Sequence, residues 1–542
     1  MTLTPSAHVD TFCRDNLPPV ESWPDFLHEL PELAYPDRLN CGLILVDATA
    51  DRLGDDRLCL LSPTGERWTY GDLRRVSDQV AGVLSDELGV MPGNRVLLRG
   101  PNNPWLVACW VGVLKAGAVV VTTMPLLRAG ELATVHQIAR IDLSLCDHRF
   151  TEDLRKADLG APVVVYGSQT PDDLTTRAAA YTKHFTPVDT AADDVALLAF
   201  TSGTTGRPKA TMHFHRDVLA NADTFSRHVL KPTPDDVFTG TPPLAFTFGL
   251  GALVVFPLRV GAASLLLEKA TPDELADHVA THGVTVCFTA PTAYRAMLGA
   301  GRLERLASLR RCVSAGEHLP RSTWEAFAAA TGVRIIDGIG STEMLHIFIS
   351  AADDEIRPGS TGRPVPGYQA CVLDDARQPV PAGRVGRLAV KGPTGCRYLA
   401  DARQADYVQG GWNITGDTFI EDADGYFWYQ ARSDDMIISS GYNIAGPEVE
   451  EALLAHDAVF ECAVVGVPDE ARGQLVTAYV VLADGVAGDA DLTRALQDHT
   501  KQQIAPYKYP RLISFVEALP RTSTGKLQRF RLREDKADSA PG

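Results

Sequence analysis

The apolar run Val195-Ala-Leu-Leu-Ala-Phe200 leads directly into Thr201-Ser-Gly-Thr-Thr-Gly-Arg-Pro-Lys209, and this junction constrains the fold more than any other part of the chain. Six apolar residues read as a buried strand, which places the following loop at the strand's carboxyl end. Gly203 and Gly206 let the backbone turn tightly and present its N–H groups to an anion. Thr201, Ser202, Thr204 and Thr205 add hydroxyl donors, and Lys209 adds charge. Such a loop suits a polyphosphate. It does not follow the G-x-x-x-x-G-K-[ST] pattern: Arg207 and Pro208 separate Gly206 from Lys209, and Ala210 has no hydroxyl for a metal. Kinases and ATPases built on that pattern are therefore disfavoured.

The same alternation continues along the chain. Arg95–Leu98 and Ala118–Thr122 are short β-rich runs bracketing a helix expected from Asn103 to Lys115, and the rhythm recurs around Val195–Phe200, Val254–Leu267, Val284–Thr289 and Arg334–Ile336. This is the pattern of α/β layers with substantially parallel sheet. From about residue 360 to 430 shorter strands with Gly-Pro turns predict a β-rich subdomain. After Arg432 a compact α+β segment begins, with Pro447–Leu454 expected as a helix and Cys462–Val467 and Leu475–Leu482 as strands. We expect an N-terminal domain over 1–432 and a mobile C-terminal domain over 433–542.

At 542 residues the chain exceeds what one core organises. Its net charge of −17 argues against non-specific binding to nucleic acid or anionic membranes. Ten cysteines, Cys13, Cys41, Cys109, Cys287 and Cys462 among them, are scattered without C-x-x-C spacing, as reduced thiols in a cytoplasmic protein would be. No apolar run reaches the roughly 18 residues of a membrane span.

Further motifs follow the loop in order. Gly338-Ile-Gly-Ser-Thr-Glu343, Ile414-Thr-Gly-Asp417, Arg432-Ser-Asp-Asp-Met-Ile437, Ser440-Gly-Tyr-Asn443 and Pro520-Arg-Thr-Ser-Thr-Gly-Lys526, together with residues 201–209, resemble the core elements of the adenylate-forming superfamily of acyl-CoA synthetases, luciferases and adenylation domains. The resemblance runs from about Trp68 to Arg533. Within that superfamily the stretches Gly338–Phe348 and Ser433–Ile444 are similar to benzoate-type ligases. Ala7–Phe12, Asn16–Pro19 and Trp23–Phe26 resemble 2-aminobenzoate-CoA ligases.

The resemblance implies ATP, Mg²⁺ and a thiol, from CoA or phosphopantetheine. Residues Thr201 to Lys209 would hold the β and γ phosphates, with Glu343 helping to hold the metal. Lys526 would reach the carboxylate and the α-phosphate. Lys526, Glu343 and Thr204 are the candidate catalytic residues. Gly316, Glu317 and His318 would lie along the adenine, and Asp337, Gly338, Ser341 and Thr342 would close the nucleotide site. Asp417, assisted by Arg432, would take the ribose hydroxyls. Phe246, Thr247, Phe248, Gly249, Gly340, Met344, His346 and Ile347 are the candidate acid pocket. The Gly441–Tyr442 loop would line a thiol tunnel, and Asp434 falls at the hinge.

A pocket bounded by phenylalanine suits a planar ring better than a long alkyl chain. The expected activity is ATP-dependent conversion of 2-aminobenzoate, or a hydroxylated or unsubstituted benzoate, to an aryl-adenylate and then a CoA thioester. The alternative acceptor is an acyl carrier protein. A luciferase-like oxidoreductase and a non-catalytic nucleotide-binding module are the rival classes. The expected assembly is a monomer or homodimer.

Overall fold

The computed structural model describes residues 3–201, 208–432, 435–439, 442–469, 472–504, 506–521 and 527–537. The chain forms α/β layers around two large sheets, followed by a strand-rich subdomain and a small C-terminal α+β domain.

The first sheet has six strands, in the spatial order Val163–Tyr166, Leu143–Asp147, Arg95–Arg99, Val119–Thr123, Val195–Thr201 and Lys209–Phe214. All neighbours are parallel except the last pair, in which Thr201 lies opposite Lys209. The strand Val195–Thr201 is buried over its first five residues because helices cover both faces of a parallel sheet. The helix Pro104–Lys115 shows how the sequence writes its own boundary. Pro104 occupies the first turn, where no N–H is needed, and the Asn103 side chain accepts from Leu106 N. Nearly every residue of that helix is buried between neighbouring layers.

The second sheet has nine strands and is parallel through its centre, from Leu58–Leu61 to Ile335–Gly340. At one edge the chain reverses, and Ile335–Gly340 pairs antiparallel with Ile347–Ser350. One expected strand region differs. Gly251–Val260 is helical, and only Ala263–Leu265 of that stretch joins the sheet. Val254, Val255, Phe256 and Leu258 are all buried, so packing on every side sustains a helix despite the β-branched residues.

The strand-rich subdomain is an antiparallel sheet in which Trp412–Glu421 pairs with both Val385–Lys391 and Phe427–Arg432. The C-terminal sheet is built on the long hairpin Val459–Asp469 and Gly473–Leu482, covered by Gly446–Leu454. Its core of Val449, Leu453, Val464, Val476 and Leu496 is separate from the main one. The described cysteines are free thiols, nine of them buried. No described helix is long and apolar enough to cross a membrane.

Candidate active site

The two large sheets meet where the strand Lys209–Phe214 faces the turn between Ile335–Gly340 and Ile347–Ser350. That turn carries Ser341, Thr342, Glu343, Met344 and His346 within six residues. It is held from several sides. Met344 N donates to Ser341 Oγ at 3.2 Å, Leu345 adopts a left-handed φ of 69°, and Thr394 Oγ1 donates to Met344 O at 2.8 Å. His213, on the strand that begins at Lys209, donates through Nε2 to Thr342 O at 2.9 Å. Burial lowers the His213 pKa to about 4, so the ring is a neutral cross-link between the two sheets.

Lys209 and Glu343 come together here. Their Nζ and Oε1 atoms are 3.6 Å apart, both side chains are largely withdrawn from solvent, and the hydroxyl of Tyr398 touches both. The fit to a magnesium ion rests on this carboxylate, a hard oxygen donor of the kind that holds Mg²⁺ when phosphate and water supply the other positions. Among the described residues no cluster of three or more His, Cys, Asp or Glu side chains is placed to hold a metal, so any such ion takes most of its ligands from elsewhere.

Asp417 and Arg432 are register partners on neighbouring strands and form an ion pair of 3.7 Å. Gly416, inside the strand Trp412–Glu421 and just before Asp417, has φ of 80°, a backbone conformation that a side chain would strain. Gly316 likewise has φ of 89°. The His318 ring beyond it stacks on Tyr429 at 5.7 Å and 25°. Burial lowers the His318 pKa to about 4. Asp337 is pushed up to about 8 by burial. Its neighbour Gly338 is needed for contact with Ile347, whose Cδ1 would lie 2.8 Å from an added Cβ.

Two of the aromatic candidates, His346 and Phe248, lie in a cluster with Phe225, Phe256 and Phe288, which the sequence reading did not single out. The His346 ring lies 4.6 Å from Phe256, 5.5 Å from Phe225 and 5.6 Å from Phe248, and Phe248 meets Phe288 edge-on at 5.7 Å. Burial lowers the His346 pKa to about 3, and neither ring nitrogen has a hydrogen-bond partner among the described residues. A neutral imidazole is thus held in an apolar cage with unused polar atoms. Phe246, Thr247 and Phe248 are half-buried, whereas Met344 and Ile347 are fully packed. Gly249 is accounted for by packing, since a Cβ would overlap Pro243 O. Gly340 would place one 2.5 Å from His346 O.

Ser202, Gly203, Thr204, Thr205, Gly206, Asp434, Gly441, Lys526 and the side chain of Tyr442 lie outside the described residues. Arg521, five positions before Lys526, is described. Its Nη1 donates to Glu317 Oε1 at 2.7 Å, and its Nη2 to Glu461. The C-terminal domain therefore reaches the segment Gly316–His318 of the large domain, and Arg295 Nη1 donates to Phe460 O at 3.0 Å nearby. Sequence reasoning did not pick out His213, Tyr398, Tyr407, Tyr429 or Arg521. Each meets its partner across a gap of more than 50 positions, with no local spacing to mark it.

Comparison with known proteins places these features in a family. Residues 46–398 match the AMP-binding enzyme family, and residues 448–526 match the AMP-binding enzyme C-terminal domain. A benzoate–CoA ligase of Thauera aromatica is 34% identical over 516 residues, covering 93% of this chain and 97% of the relative. The crystal structure of the anthranilate CoA ligase AuaEII in complex with anthranoyl-AMP superposes with a TM-score of 0.89 at 33% identity, covering 94% of this chain and all of that one. A benzoate CoA ligase from Burkholderia xenovorans LB400 gives a TM-score of 0.84 at 34% identity, covering 91% and 100%.

Proposed function

The chain belongs to the AMP-binding enzyme family and is an acid–thiol ligase; from that premise we propose that it activates an aromatic carboxylic acid, 2-aminobenzoate or a benzoate analogue, with ATP and transfers the acyl group to CoA. The observation that carries this reading is the half-buried Phe246, Thr247 and Phe248 next to His346, whose ring lies 5.6 Å from that of Phe248, an aromatic lining with polar atoms beside it that suits a flat ring.

The first half-reaction joins a carboxylate oxygen of the acid to the α-phosphorus of ATP and breaks the bond to the β-phosphate, releasing pyrophosphate. No protein nucleophile takes part, so the chain's work is positioning and charge stabilisation. Residues 201–206 and Lys209 hold the β and γ phosphates. Gly316–His318 and Asp337–Gly338 flank the adenine, Ser341 and Thr342 sit beside the α-phosphate, and Asp417 with Arg432 takes the ribose. When bound at Glu343, Mg²⁺ neutralises phosphate charge. Lys526 supplies a cation to the acyl and α-phosphate oxygens. In the second half-reaction the thiol sulfur attacks the acyl carbon, the bond to AMP breaks, and the thiol proton passes to solvent. Gly441 and Tyr442 line the thiol's path, and rotation at Asp434 brings them to the site.

The test is acid-dependent pyrophosphate release over a panel of acids, repeated with CoA and with a carrier protein as acceptor. 2-Aminobenzoate and benzoates should exceed octanoate by at least about tenfold in kcat/KM, the scale of pocket discrimination. Octanoate used equally well would overturn the aryl assignment. Thioester formed only on the carrier protein would replace CoA as the acceptor.

A further inference from the structure

Tyr398 is fully buried, yet its hydroxyl meets both Lys209 and Glu343 in the candidate site. The segment that carries it leaves the strand Val385–Lys391 and zips onto the strand that begins at Lys209. Met212 N donates to Arg397 O and Leu399 N to Ala210 O, with Tyr398 opposite Thr211. The Gln404 side chain accepts from Tyr398 N at 2.9 Å and donates to Cys396 O at 3.1 Å and Ser22 O at 2.9 Å. The ring is therefore fixed from both sides. Lys209 Nζ lies 4.4 Å from its centroid, a cation–π contact, and 5.7 Å from that of Tyr407.

The hydroxyl has one proton and two charged neighbours. Lys209 Nζ can only donate, and does so at 2.6 Å, so the phenolic proton goes to Glu343 Oε1. The Tyr398 hydroxyl and the Lys209 ammonium both address Oε1, which fixes the carboxylate's rotation and leaves Oε2 out of the network.

We propose that Tyr398 is a positioning residue for the metal: its hydroxyl holds the Glu343 carboxylate by Oε1, so that Oε2 is turned to serve the metal ion. This rests on the reading of Glu343 as the metal-holding carboxylate.

The measurement compares full-length wild type with Tyr398→Phe, which keeps the ring and removes only the oxygen. Mn²⁺ affinity is read by electron paramagnetic resonance at saturating α,β-methylene-ATP, and affinity for the same nucleotide is read separately in EDTA. Losing a hydrogen bond to a charged group should weaken Mn²⁺ binding roughly tenfold and change metal-free nucleotide binding by less than about twofold. In a Glu343→Gln background the Tyr398→Phe effect should vanish. Unchanged Mn²⁺ affinity in a folded Tyr398→Phe protein would overturn the proposal, as would the same loss in both backgrounds. If the phenylalanine protein does not fold, fluorinated tyrosines at position 398 give the second reading: Mn²⁺ affinity should follow the acidity of the hydroxyl, and a flat series contradicts the proposal. Failure of the functional reading is distinguishable, because it would appear in the wild type as no acid-dependent pyrophosphate release.

Discussion

Asp337 illustrates how far burial can move a single group. Its carboxyl is raised to about 8, against an ordinary value near 4, so folding favours the protonated form. By linkage, the cost of keeping it folded is absent below pH of about 4 and grows as pH rises toward 8. Asp337→Asn resembles the protonated acid at every pH. The difference in Tm between Asp337→Asn and wild type should therefore increase in favour of the variant from pH 5 to pH 8. Parallel Tm curves would show that the carboxyl titrates normally. At this scale the sequence singled out residues that lie in contiguous motifs, and the structure brings Lys209 to Glu343 and pairs Asp417 with Arg432. The sequence was silent about Tyr398 and Tyr429. Nothing in their local sequence marks either residue, and only tertiary contact reveals that the Tyr398 hydroxyl meets Glu343 and the Tyr429 ring meets His318.

The turn between Ile335–Gly340 and Ile347–Ser350 is the element that assembles the candidate site, and its geometry leaves little room. A Cβ at Gly340 would stand 2.5 Å from the carbonyl oxygen of His346, which is backbone and cannot rotate away. Gly340→Ala should cost about 1–3 kcal/mol, as overpacking does. It should also displace His346, so that kcat/KM for the aromatic acid falls by more than the affinity for ATP. A variant with wild-type Tm and activity would contradict this account of the turn. Elements were largely readable in advance, because caps and strand-length apolar runs are local signals: Pro104–Lys115, Val195–Thr201 and Gly446–Leu454 all appear within a residue or two of their expected limits. The helical stretch Gly251–Val260 was not, since a fully buried segment shows no periodicity by which helix and strand differ.

At the scale of the whole molecule, the contact of Arg521 with Glu317 joins the C-terminal domain to the segment assigned to the adenine, a few residues from the proposed catalytic lysine. On the proposed mechanism the two half-reactions need different groups at one carbonyl, so a domain that presents Lys526 for adenylation would later withdraw it and bring up Gly441. Lys526→Ala should cut adenylate formation on the order of 10² or more, as loss of a preorganised charge does, while leaving thioester formation from supplied aryl-adenylate intact. Arg521→Ala should act in the same direction but more weakly, by roughly tenfold, equivalent to about 1.4 kcal/mol. Gly441→Ile should do the reverse. Equal loss in both half-reactions from all three folded variants would exclude an alternating domain. The measurement that bears most directly on the central claim is a single turnover of wild type with ATP, Mg²⁺ and 2-aminobenzoate, to which CoA is added only afterwards. Adenylation ahead of acceptor binding predicts about one pyrophosphate released per active site before CoA is present, then conversion of the retained aryl-adenylate to aryl-CoA and AMP on its addition; pyrophosphate released only after CoA arrives, or released without any acid, would contradict the account.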